Sequence, residues 1–253
     1  MIEDGRIVRL APANPGSTSR FWNQWGRLVL PLPLWIELDT GAWVASAALP
    51  DFVLRIAAGD NGADAMFYQS MFDPVVSTSA KFMAEMRVRG LAGEQVPEVV
   101  QALRASKHAD PMLGVLAAWL HYGVGDLSNI YRTAYYFSQQ NQPIPFDVAL
   151  LGRLPAAVQA SGEVSLLIPA VDEADGMRSL PLYMRGATPH AVGVLGGSVP
   201  FLRQGWKLLK PEGAPGLYPP ALAELADYLL PSPFTTLSAE GGVKLAKLAL
   251  EGF

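Results

Sequence analysis

Apolar and polar side chains alternate with a period of two in several short runs of the first third of the chain, the pattern of half-buried strands. Arg6-Ile7-Val8-Arg9-Leu10, Arg27-Leu28-Val29-Leu30, Trp35-Ile36-Glu37-Leu38, Trp43-Val44 and Phe52-Val53-Leu54-Arg55-Ile56 follow one another. Asp39-Thr40-Gly41 and Gly59-Asp60-Asn61-Gly62 supply turn chemistry. Lys81 to Arg89 alternates again and Gly90 stops it. Short strands punctuated by Gly, Asp and Pro predict a small antiparallel sandwich or barrel over residues 1–93.

From Val96 the period becomes helical. Pro97 opens a helix carrying Val99, Val100 and Leu103 on one face. Asp110-Pro111 pairs an N-cap with a first-turn proline ahead of Leu113, Leu116, Trp119 and Leu120. Gly123-Val124-Gly125 stops that helix, and Asp126 caps the next, whose apolar stripe is Ile130, Tyr131, Ala134 and Phe137. So short a turn predicts an antiparallel helix hairpin. A further helix is expected from Phe146 to Leu154, completing a helical domain over 94–160. Residues 161–253 read as a linker or joining strand over Ser161 to Arg185, then mixed structure. That part holds Ala191 to Leu195, Phe201 to Leu209, an amphipathic helix from Ala221 to Leu230, and a final helix over Ser238 to Leu250. The fold class expected is α+β: an antiparallel β domain, a helix-hairpin domain, and a mixed C-terminal region.

Composition narrows the chemistry. With 253 residues, 50% of them hydrophobic and 17% charged, the chain has the make-up of a packed globular protein. It has no cysteine, which excludes a disulfide framework, a thiolate metal site and a cysteine nucleophile, and fits a reducing cytoplasm. The net charge of −4 argues against nucleic-acid binding, which needs a basic surface. The acidic start, Glu3-Asp4, does not resemble a secretory signal, and the most membrane-like stretch, Gly114 to Gly125, is far shorter than the roughly 20 residues that span a bilayer. A cytoplasmic protein with neither membrane nor nucleic-acid partner is expected.

No serine lies in a Gly-x-Ser-x-Gly frame, and Gly193, Gly196 and Gly197 lack the lysine of a phosphate loop. Asp172-Glu173-Ala174-Asp175 spells an acidic box, but the glycine and terminal glutamate of a calcium loop are missing. His108, His121 and His190 are too far apart for two of them to share a turn of one helix. No catalytic residue, metal ligand or cofactor is assigned. Two features suit protein recognition. Phe21-Trp22-Asn23-Gln24-Trp25 makes Trp22 and Trp25 candidate interface anchors. Val171 to Arg178 is a polar stretch at the expected join, offering Asp172, Asp175 and Arg178 to a peptidase.

Asp110-Pro111-Met112-Leu113-Gly114 running to Tyr122, with Pro145-Phe146-Asp147-Val148-Ala149-Leu150-Leu151 after it, resembles the region C-terminal to the peptidase domain of bacterial caspase-like (clan CD) proteins. Pro200-Phe201-Leu202-Arg203-Gln204-Gly205-Trp206, the helix at Ala221 and the turn from Pro231 to Thr236 are similar to the ending of those chains. The likeness spans about residues 25 to 253. Cleavage in that family needs a Cys-His dyad, and the cysteine is absent here, so activity does not carry over. The resemblance implies an accessory to a caspase-like or CHAT peptidase of bacterial stress and antiviral defence, type III CRISPR loci included. Such a protein would be a binding subunit, an inhibitor or a cleavage target. A hydrolase with an unrecognised Ser/His/Asp site and a structural scaffold subunit are the alternatives.

Overall fold

The computed structural model describes residues 30–60, 62–70, 103, 107–173 and 185–251. The expected strands at Arg6 and Lys81 and the helix from Pro97 fall outside them, as do Trp22, Trp25, Asp175 and Arg178. The architecture is α+β, with antiparallel sheets first, then helices, then a mixed sheet.

Strand β1 (Leu32–Glu37) pairs antiparallel with β2 (Trp43–Ala48), the turn between them closed by the Leu38 amide on the Ala42 carbonyl. Strands β3 (Phe52–Gly59) and β4 (Gly62–Ser70) form a separate hairpin whose register shifts between Ala57 and Ala58. On β3 every second residue is exposed from Val53 to Ala57, so this hairpin has one wet face.

Helix α1 (Pro111–Gly123) starts where the sequence signals it. Asp110 accepts a hydrogen bond from the Met112 amide at 3.0 Å, and Pro111 occupies the first turn, where a missing N–H costs nothing. Asp110 also takes the Tyr68 amide at 3.2 Å, which ties the cap to β4. Helix α2 (Leu127–Gln139) is capped by Asp126 through the Asn129 amide at 3.0 Å. It runs into β5 (Ile144–Pro145) and α3 (Phe146–Gly152), which are buried throughout.

Strands β6 (Ala156–Val158), β7 (Val164–Ile168) and β8 (Ala191–Gly196) join β5 in a sheet of order β5-β8-β7-β6, with β5 and β8 parallel and the other pairs antiparallel. Val164–Ile168, read above as a linker or joining strand, is therefore an inner strand flanked on both sides, which its apolar Leu166 and Ile168 require. Phe201 to Leu209 contains a 3-10 helix (Arg203–Leu208). The helix expected over Ala221 to Leu230 is shorter: α4 (Pro220–Glu224) passes into a 3-10 turn (Leu225–Tyr228). Strand β9 (Thr236–Leu237) then returns to pair with β2, and α5 (Ala239–Glu251) covers that sheet.

Among the described residues, nearly all buried apolar side chains belong to one continuous cluster. It includes Val44 and Ala47 from β2, Leu113 from α1, Phe146 from α3, Ile168 from β7, and Phe201, Trp206 and Phe234 near the end of the chain. Thr235 stitches this centre together: it accepts from Trp206 Nε1 at 2.7 Å and donates to the Pro200 carbonyl. No helix of the described residues is long and apolar enough to cross a membrane.

Candidate functional site

The candidate cleavage segment is the connection between β7 and β8. Beyond the last strand pair, Ile168 with Ala191, the chains stay together: Val171 and Thr188 exchange amide–carbonyl bonds of 2.9 and 2.7 Å. Both residues are buried, so this bridge closes the base of the connection. His190 adds a contact, its Nδ1 accepting from the Ala170 amide at 3.3 Å. Immediately past the bridge, Asp172 and Glu173 are exposed.

Arg132 of α2 reaches this point from beneath. Its side chain is buried, and Nη2 donates to the Asp172 carbonyl oxygen at 2.5 Å. Nε has no hydrogen-bond partner among the described residues. A buried guanidinium is expensive to desolvate, and here a backbone carbonyl at the base of the acidic segment receives one of its donors. Sequence reasoning missed Arg132. It lies off the apolar stripe of Ile130, Ala134 and Phe137, where the sequence pattern reads a solvated cation.

The histidines are held by local structure. His121, buried in the last turn of α1, places Nδ1 3.2 Å from Asp126 Oδ2. The same carboxylate caps α2 and accepts from Asn129 Nδ2 at 2.5 Å. Burial works against ionisation of Asp126, but the bonds from His121 and Asn129 outweigh it and hold its carboxyl below the ordinary range. The His121–Asp126 pair thus fastens the tight turn between α1 and α2. His108 exchanges bonds with Gln142: Nδ1 stands 2.8 Å from Oε1, and Nε2 of Gln142 donates to the His108 carbonyl at 2.9 Å. Burial of the His108 ring lowers its proton affinity, with the Gln142 bond opposing.

A second residue to which the sequence reading gave no role of its own is Asp147. It is fully buried at the start of α3 and accepts from the Phe201 amide at 2.5 Å, Trp119 Nε1 at 3.1 Å and the Leu202 amide at 3.4 Å. Burial pushes its carboxyl up to about 6, against the pull of those donors. Its signal was a lone carboxylate between Phe146 and Val148.

These groups lie apart and each is engaged with backbone or turn. Among the described residues, no three His, Asp or Glu side chains come together to hold a metal ion. No family model matches the chain, and no curated protein and no solved structure matches it either.

Proposed function

We propose that this chain is a non-catalytic interaction and regulatory protein of the bacterial cytoplasm, engaged and cut by a caspase-like or CHAT peptidase in a stress or antiviral defence system. The observation that carries the reading is the connection leaving the β7–β8 hairpin. Its base is fixed by a buried two-bond bridge, and its first two residues past that bridge are exposed acids. Peptidases act on exposed polar segments held out from a rigid body.

One contact supports a choice among the acids. A cysteine peptidase must draw the carbonyl of the residue it cuts after into its own oxyanion hole. The Asp172 carbonyl is already taken by buried Arg132. Asp175 follows three residues on, so an aspartate-specific peptidase cuts after Asp175, and an arginine-specific one after Arg178.

Incubation of the chain with an activated caspase-like peptidase, followed by intact mass measurement, tests the reading. One cut after Asp175 or Arg178 is expected, abolished by D175A or R178A respectively and retained in D172A. A chain that stays intact and does not co-purify with the peptidase would sink the proposal. The hydrolase alternative is served less well, because His121, the histidine paired with a carboxylate, is buried in a helix–helix turn.

A further inference from the structure

A cleft of about 550 Å³ opens between the C-terminal end of α3 and the segment 207–218, a size suited to a few side chains of a ligand. Its lining is apolar at Leu150, Leu154, Leu217 and Tyr218, all of them buried in the fold. Its rim carries Arg153, Lys207, Lys210 and Glu212, all exposed. Three cations thus face one carboxylate on a chain of net charge −4. That carboxylate lies 3.9 Å from Lys210 Nζ and offsets part of one cation only.

Arg153 occupies an unusual backbone position. It caps α3 in the left-handed conformation, with φ of 49°, and its amide reaches the Ala149 and Leu150 carbonyls. Glycine is the residue that such a cap favours, because a Cβ is disfavoured there. The dipole of a seven-residue helix welcomes a cation at this end, but accounts for neither Lys207 nor Lys210 across the cleft. The opposite wall is pre-formed: the Lys210 amide donates to Tyr218 Oη at 3.1 Å, and Ala214 and Tyr218 exchange backbone bonds of 3.1 and 3.0 Å. A wall fixed in advance costs little ordering on binding.

We propose that this cleft is a docking site for an acidic peptide segment of a partner protein, which sets an apolar side chain against the leucines and its carboxylates against Arg153, Lys207 and Lys210. The occupant follows from charge complementarity: cations ringing an apolar floor select a chain that alternates acids with large apolar residues. The site is separate from the β7–β8 connection, and its standing does not depend on whether that connection is cut.

A phage-displayed library of random dodecapeptides, panned on the full chain, tests the site. Enriched peptides are expected to combine Leu, Ile or Phe with two or more Asp or Glu, and to bind the R153G/K207S/K210S variant at least about tenfold more weakly. Binding is also expected to weaken between about 50 mM and about 500 mM salt, as the Debye length contracts. R153G places the favoured residue at a left-handed cap and the lysines are exposed, so the variant folds, which its thermal unfolding verifies. Enriched peptides that lack acids, or that bind the variant with unchanged affinity, overturn the proposal. A selection that returns no peptide dependent on these three charges overturns it too.

Discussion

Asp147 has no exposed surface, and its carboxylate is held by amides and an indole with no cation among its named partners. Burial pushes its folded-state carboxyl up to about 6 against 3.8 for the ordinary group, because the loss of solvent penalises the charge more than its hydrogen-bond donors stabilise it. The folded chain therefore binds this proton more tightly than the unfolded chain does. The stability Asp147 contributes is fully present below pH 3.8 and is lost as pH rises to about 6, a change of about 3 kcal/mol at 1.36 per unit. Urea unfolding of the wild type and D147N between pH 4 and pH 7 is expected to show the wild-type advantage shrinking as pH rises. A pH-independent difference would mean that Asp147 titrates near its ordinary value. Asp110 makes a contrasting case, since its capping role was legible from Asp-Pro ahead of an apolar stripe. What the sequence did not display was the Tyr68 amide on the same carboxylate, from 42 residues earlier. D110A thus loses a cap worth about 1 kcal/mol and also strands a buried amide worth about 1–3. Its melting temperature should fall further than the loss of an N-cap alone accounts for. The same contrast explains Asp147: its partners Trp119 and Phe201 lie 28 and 54 residues away, where no periodic pattern reaches.

Elements whose identity rests on local chemistry were readable: the capped helices α1 and α2, the alternating strands β1 and β3, and the final helix. Those set by tertiary context were not. β4 went unread because Gly62-Ala63-Asp64-Ala65 offers small residues where a strand pattern needs large ones, and a register shift in its partner breaks the alternation. β7 read as a linker or joining strand because its neighbour β8 arrives only after a long connection. In α5, Gly241 and Gly242 argue against helix by propensity, at about 1 kcal/mol each relative to alanine. Packing supplies the reason for both: a Cβ on Gly241 would fall 2.4 Å from Cβ of Tyr228, and one on Gly242 would fall 2.0 Å from Cγ of Trp43 in β2. Helix propensity and overpacking therefore oppose one another in G242A. The ring of Trp43 is half-buried against the core and α5 packs on β1 and β2, so the clash outweighs the propensity. G242A is expected to destabilise by up to about 2 kcal/mol, the overpacking cost less the propensity gain, and W43A/G242A to lose less than the two single losses summed. Chemical denaturation of the four proteins checks this; a G242A chain more stable than wild type would show that α5 does not sit on that ring.

At the scale of the whole molecule, the segments read as 1–93, 94–160 and 161–253 exchange strands. β9 completes the sheet begun by β1 and β2, β8 runs beside β5, and the Phe201 and Leu202 amides bind Asp147. Pairings between ends of the chain carry no signature in local periodicity, which is why segment boundaries drawn from the period do not mark breaks in the core cluster. This arrangement fixes what a cut between β7 and β8 would do. The part before the cut keeps β1 to β7 and α1 to α3; the part after it keeps β8, β9, α4 and α5. Neither part retains a complete sheet around β8 or around β2, and each exposes its share of Phe146, Ile168, Trp206 and Phe234 if the two separate. Burying that surface again outweighs the translational freedom gained on separation, as it does in obligate two-chain proteins. Replacing residues 174–178 with the site of a sequence-specific protease and cutting to completion is therefore expected to give two bands on a denaturing gel. Gel filtration should still show a single species at the 27.2 kDa of the uncut chain. Urea unfolding of the cut protein should become dependent on protein concentration, because its unfolded state is now two molecules. Fragments that elute separately in native buffer would show that the sheets on either side of the cut fold without one another. Fragments that stay together would mean that cleavage at this connection frees two new chain ends on an intact body, and that any consequence of the cut is read from those ends.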